Sequence, residues 1–297
     1  MTSWGGMAGR TVAVLALLAL LGVVSCATGQ GGRSGAAGPG PAGARDPLLR
    51  TGALPNGLRY YVRANGVPEK RAYLWLAVNA GSVLEEEDQR GYAHFLEHMA
   101  FNGTEHFPRQ SLIDFVEFSG MRFGPDLNAY TSFDETVYQL TVPTDDPAYL
   151  ERGLRILEDW AGGGITLDSA EVVAERGVVL GEWRSRALLD TASQRLFDHE
   201  LDVLLGGTRY RERLPIGVPE SIERANPEPL RRFYRDWYRP DLMAVIAVGD
   251  FDPEWMEREI RERFGRIPRR ADARRRWEER SPARGAARGD VLRDKVS

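Results

Sequence analysis

The chain has 297 residues, 42% of them hydrophobic, enough to bury one large core or two small ones. A formal net charge of −4, from 39 basic and 43 acidic residues, excludes a globally polyanion-seeking protein. A single cysteine excludes an intramolecular disulfide, so the fold must rest on its core or on a bound metal.

The N-terminus reads as an export signal. Arg10 precedes an apolar run from Thr11 to Val24. As a helix this run would reach about 21 Å, short of the roughly 30 Å hydrocarbon core, so a signal peptide fits better than a membrane span. Val23-Val24-Ser25-Cys26 closes it in the manner of a bacterial lipobox, which makes Cys26 the expected lipidation site and residues 1–25 the leader. Residues 26–47 are rich in Gly, Ala and Pro and suit a flexible tether. The expected location is the cell envelope of a bacterium, on the periplasmic side or the outer membrane.

Globular patterning begins near residue 48. Leu58–Arg63 is expected to be a strand after a Pro-Asn-Gly turn, and Ala72–Val78 a second strand buried on both faces. The acidic run Glu85–Asp88 suits the N-terminal end of a helix predicted from about Gln89 to Phe101. A helix over Arg109–Phe118 and strands over Met121–Thr131 and Glu135–Val142 follow. In the last, Thr136, Tyr138, Leu140 and Val142 share one face at period two. A helix from Pro147 to Trp160 ends at three glycines, and Asp168-Ser-Ala-Glu171 is a capping box opening a long helix to about Leu188. Helices over Glu228–Trp237 and Pro253–Phe264 flank an apolar run, Leu242–Val248, suited to a central strand. The mixture implies an α+β fold, a mostly antiparallel sheet with helices packed on it, over residues 48–268. Residues 269–297 read as an Arg-rich linker toward a further domain. Acidic residues interspersed among its arginines argue against nucleic acid as a partner.

The chemistry concentrates in His94-Phe95-Leu96-Glu97-His98. On a helix, His94 and His98 lie one turn apart on one face, a spacing at which two imidazoles hold one zinc ion. Glu97 projects beside them and can exchange a proton with a metal-activated water. Shuffling this composition, which has only 4 histidines, yields such a match on the order of 0.003 times. His106 and His199 have no comparable context and read as solvated or locally bonded side chains. A zinc site needs a third protein ligand, and Glu175 and Glu182 fall seven apart on the long helix, within roughly 20° of one face. Either could complete the site while the other orients a ligand.

His94 to Thr104, Leu127-Asn-Ala-Tyr-Thr-Ser132 and Glu175-Arg-Gly-Val-Val-Leu-Gly-Glu182 together resemble the insulinase/pitrilysin family of zinc metallopeptidases, and within it the exported bacterial zinc proteases. The resemblance runs from about Leu54 to Ile267. It implies a Zn²⁺ cofactor held by His94 and His98, with Glu97 as general base. Its paired-glutamate pattern makes Glu182 the third ligand and Glu175 its support, although the family's customary interval after the second histidine would select Glu175. It places Asn128, Ala129 and Tyr130 beside a peptide or small protein substrate that adds as an extended strand. It also implies a second peptidase half or a partner subunit. The resulting expectation is a zinc endopeptidase acting outside the cytoplasm; the alternative is a non-catalytic peptide-binding or assembly subunit of the same fold.

Overall fold

A computed structural model describes residues 46–109, 111–187 and 192–278. The expected leader, Cys26 and nearly all of the tether lie outside the described residues, as do residues 279–297 of the Arg-rich end. The elements in chain order are β1 (Leu49–Ala53), β2 (Arg59–Ala64), β3 (Arg71–Val78), α1 (Tyr92–Asn102), α2 (Ser111–Phe118), β4 (Leu127–Thr131) and β5 (Thr136–Pro143). They continue with α3 (Pro147–Gly162), α4 (Ser169–Ala187), α5 (Ala192–Leu205), α6 (Arg209–Glu212), α7 (Pro219–Glu223), α8 (Pro227–Trp237), β6 (Met243–Gly249) and α9 (Pro253–Phe264). No described helix is long and apolar enough to cross a membrane.

The strands form one sheet in the order β1-β2-β6-β3-β5-β4. Only β2 and β6 run parallel; the other neighbours are antiparallel. The fold is thus the expected α+β arrangement, with β6 in the interior of the sheet. Register places buried residues beside buried residues: Leu74 lies opposite Leu140 on one side and Ala247 on the other, and Leu76 opposite Tyr138 and Val245. These positions alternate with more exposed ones, so β3 is not buried on both faces. Arg71 and Trp75 are exposed, and its second face carries part of the surface. Thr136, Tyr138, Leu140 and Val142 are all fully buried on the inner face. Enclosing a leucine there contributes about 1.5–3 kcal/mol.

Helix α3 covers this face closely because Gly153 permits it. A Cβ at that position would stand 2.8 Å from Leu74 Cδ1 and 3.2 Å from Val142 Cγ1. The helix begins where Asp146 accepts a bond from Ala148 N (2.9 Å) and ends at Gly163, whose φ of 98° few other residues adopt. Helix α4 begins beside Asp168, which accepts from Ala170 N at 2.8 Å. Strand β4 is shorter than its sequence pattern suggests. Arg122–Asp126 fold into a turn, with Asp126 Oδ2 accepting from Arg122 N (3.0 Å) and Gly124 at φ 94°. Strand β1 and helices α5 to α7 were not expected from the pattern.

Candidate metal centre

Helix α1 is anchored from below. The Glu85 carboxylate, fully buried, accepts bonds from Gly91 N and Ala93 N, both 2.8 Å, which satisfies two amides at the helix start. Gly91 (φ 95°) lies against Gly217 (φ 73°); a Cβ on Gly217 would approach Gly91 Cα to 2.5 Å. The segment around α6 clasps the same loop. Arg209 donates to the Val83 and Glu85 carbonyls at 2.6 and 2.5 Å, and Arg213 donates to the Glu85 carbonyl at 3.0 Å and to Glu87 at 2.8 Å. Burial lifts the Glu85 carboxyl to about 8, against the two amide bonds and the nearby charges of Arg213 and Arg90.

With its start fixed, α1 presents His94, Glu97 and His98 toward α4. Both imidazole Nε2 atoms converge on one oxygen: Glu182 Oε2 is 3.6 Å from His94 and 3.3 Å from His98. The imidazoles meet edge to face, with centroids 4.7 Å apart. One ligand atom from each of the three residues lies within 4.8 Å of the others, and among the described residues no other such His/Cys/Asp/Glu group occurs. Glu175, two turns earlier on α4, instead meets the far side of His98, its Oε1 2.8 Å from Nδ1. The helices therefore bring Glu182 to the Nε2 side and Glu175 to the Nδ1 side. A tetrahedral ion with bonds of about 2.0–2.1 Å sets its donors roughly 3.3 Å apart, close to the observed spacing around Glu182. Two imidazole nitrogens and one carboxylate oxygen fit zinc.

Burial and the neighbouring groups shift every titratable side chain of the cluster. Burial, followed by the neighbouring His98 charge, pushes His94 down to about 3, so its imidazole is neutral and can ligate. Burial acts in the same sense on His98, but bonds to Glu175 and Glu182 outweigh it and lift the ring to about 10. Burial also opposes ionisation of Glu182, yet His98, His94 and Arg186 hold it down to about 2. Glu175 is lowered by its bonds to His98 and Asn102 in spite of burial. The cluster thus calls for a positive charge between His98 and Glu182. Glu97 goes the other way: burial raises it to about 7, moderated by a bond from Thr131 Oγ1 to Oε2 (2.5 Å).

Thr131 ends β4, the terminal strand of the sheet, and so joins Glu97 to a sheet edge. Asn128, Ala129 and Tyr130 lie along that strand; Tyr130 is exposed, and Asn128 Oδ1 accepts from Ala129 N at 2.9 Å. Three contacts of the centre escape a reading of the motifs alone: Thr131 on Glu97, Arg186 on Glu182 Oε1 (2.5 Å) and Asn102 on Glu175 Oε2 (2.7 Å). Two of them stand four residues after a motif residue, a spacing that could have drawn attention. His106 is apart from the centre, bonded to Asp159.

Residues 61–201 match the family model described as insulinase (peptidase family M16), and residues 224–296 match the one described as the peptidase M16 inactive domain. The chain belongs to the insulinase (M16) peptidase family. The two M16 matches divide the chain where the sheet does not, because β6 falls in the second match yet pairs with β3, which falls in the first. Among relatives, the Escherichia coli (strain K12) protein named "Probable zinc protease PqqL" is 38% identical over 252 residues, 84% of this chain and 26% of its own length. An Arabidopsis thaliana protein named "Zinc protease PQQL-like" is 44% identical over 200 residues, 67% of this chain and 20% of its own. The crystal structure of the first half of the periplasmic protease PqqL from Escherichia coli superimposes with a TM-score of 0.73 at 40% identity, over 78% of this chain and 49% of that one. This chain therefore spans about a quarter of the length of the E. coli M16 relative. Zinc is the metal in these relatives' names, and it is the cofactor of this family of peptidases.

Proposed function

We propose that residues 48–268 form the catalytic zinc domain of an exported metalloendopeptidase, with His94, His98 and Glu182 as ligands and Glu97 as general base. The observation that carries this reading is the convergence of two Nε2 atoms on one Glu182 oxygen beside a buried glutamate. Bound there, zinc would polarise a scissile carbonyl and acidify the adjacent water. Glu97, buried beside the two histidines, would take a proton from that water and return it to the departing amine. Thr131 holds the Glu97 carboxylate in place, and Glu175 holds His98 by Nδ1 so that Nε2 faces Glu182. An extended peptide would add along the β4 edge at Asn128, Ala129 and Tyr130, a mode that reads backbone more than side chains.

Export is supported by the leader pattern and by the likeness to PqqL, a protease described as periplasmic. A lipid anchor on Cys26 rests on the lipobox pattern. The M16 relatives' greater length supports a second peptidase half or partner subunit as part of the working enzyme. The second reading, a non-catalytic peptide-binding or assembly subunit, draws on the match of residues 224–296 to the inactive-domain model. The intact Glu97 weighs against it, since peptide binding needs no general base between two histidines.

Elemental analysis and cleavage of a flexible quenched peptide test both readings. About one zinc per chain is expected, with cleavage lowered about 10²–10⁴-fold by Glu97→Gln while zinc is retained. Zinc without cleavage, even with a second peptidase half or partner subunit supplied, would favour the binding subunit. A folded protein that takes up no zinc would end the metal reading.

A further inference from the structure

The two helices meet as a ladder. Helix α1 offers His94, His98 and Asn102 at intervals of four, and α4 offers Glu182 and Glu175 at an interval of seven. Glu182 faces the gap between the histidines, and Glu175 faces the gap between His98 and Asn102. Asn102 Nδ2 donates to Glu175 Oε2 at 2.7 Å, and Glu175 Oε1 is 2.8 Å from His98 Nδ1. The amide nitrogen must be the atom turned to Glu175, because the amide oxygen would face a carboxylate oxygen with no proton between them.

We propose that Asn102 is a positioning residue for the metal centre, acting through Glu175 to fix the ring and tautomer of His98. This rests on the zinc reading above. With Oε2 held by Asn102, the carboxylate cannot swivel, and Oε1 stays in place to accept the Nδ1 proton. His98 then keeps Nε2 on the side of His94 and Glu182, where the zinc of that reading would sit. Without Asn102, Glu175 has one oxygen unbonded in a site that exposes only 9% of the residue, and turning to satisfy it breaks the bond to His98.

The helix end does not require this side chain. The amide nitrogen's other contact is Met99 Sδ at 3.8 Å, and the turn after α1 is held by backbone bonds, Thr104 N to the Phe107 carbonyl (2.9 Å) and Thr166 N to the Gly103 carbonyl (3.0 Å). Asn102 is thus committed to Glu175 rather than to capping its own helix.

The test uses the purified full chain with Asn102→Leu, Asn102→Asp, Glu175→Gln and the Asn102→Leu/Glu175→Gln pair. Zinc affinity is read by chelator competition and the ligand field by the visible spectrum after cobalt loading. Asn102→Leu should weaken zinc roughly 10-fold and Asn102→Asp up to about 100-fold, each with a shifted cobalt spectrum. Adding Asn102→Leu to Glu175→Gln should cost little more, because both act along one route. The proposal is overturned if both Asn102 variants match the wild type in affinity and spectrum. It is equally overturned if they lose only thermal stability, or if the Asn102→Leu loss persists in full when Glu175 is already Gln. A wild type that binds no zinc removes the metal reading and this inference together, whereas a zinc-binding wild type indifferent to Asn102 removes the inference alone.

Discussion

Two histidine–carboxylate pairs in this protein have nearly the same bond length and very different surroundings. His98 Nδ1 lies 2.8 Å from Glu175, and His106 Nδ1 lies 2.7 Å from Asp159. At His98 the second ring nitrogen lies 3.3 Å from Glu182 Oε2 beside the His94 ring, with only 17% of the side chain exposed. At His106 the side chain is 47% exposed, while its buried partner also accepts from Thr104 Oγ1 (2.5 Å) and from His106 N (3.0 Å). Asp159 is occupied in tying the loop after α1 to α3; Glu175 bonds only to His98 and Asn102 among the described residues. A carboxylate bonded to an imidazole is therefore not diagnostic of a site. The direction of the other nitrogen is.

Changing one carboxylate of each cluster should separate the two roles. Glu182→Gln removes a ligand and should weaken zinc by more than the roughly 10–100-fold that loss of a supporting bond costs, with the metal-free fold intact, as measured by chelator competition and circular dichroism. Asp159→Ala should do the reverse. It leaves buried donors unpaired and should cost about 2–3 kcal/mol in chemical denaturation, with zinc affinity unchanged. Equal effects of both on zinc would erase the distinction.

A subtler effect concerns Glu85 beneath the metal helix. Its folded pKa of about 8 lies above the ordinary 4.5, so between those values the folded protein holds a proton that the unfolded chain has released. That contribution is fully present below about 4.5 and is lost as pH rises toward 8. Glu85→Gln keeps an acceptor without the charge, so its Tm relative to wild type should climb over that interval; a constant difference would show that Glu85 does not titrate there. The smallest effect is expected at His106→Ala, within about 1 kcal/mol of wild type in stability, and without change in zinc affinity, because the ring is half solvated.

The histidine–glutamate motif was legible because its chemistry is local: one helix turn brings His94, Glu97 and His98 together wherever the rest of the chain goes. The strongly periodic segments, β5, α3 and β6, were legible for the same reason. Strand β1 was not, since its five residues, Leu49–Ala53, alternate between exposed and half-buried and give little apolar signal. Strand order could not be read either, because β2 pairs with β6 across more than 180 intervening positions rather than with β3, its successor. Glu85 stood out only as one charge in an acidic run; nothing in the run distinguishes the residue that turns inward to cap α1 from those that stay in water. The assignment of Glu175 and Glu182 to opposite sides of His98 needed the distances, because on a helical wheel the two share a face.

The place of β6 has a consequence in time. Strands β2 and β3 follow one another in the chain but are separated in the sheet by a strand that ends at Gly249. As the polypeptide emerges, whether from a ribosome or through a membrane pore, the two early strands cannot close into a hairpin without occupying β6's slot. Until residue 249 is available, β2 and β3 each lack the neighbour that covers one edge in the finished sheet, and a stalled chain would expose those edges to pairing with other chains.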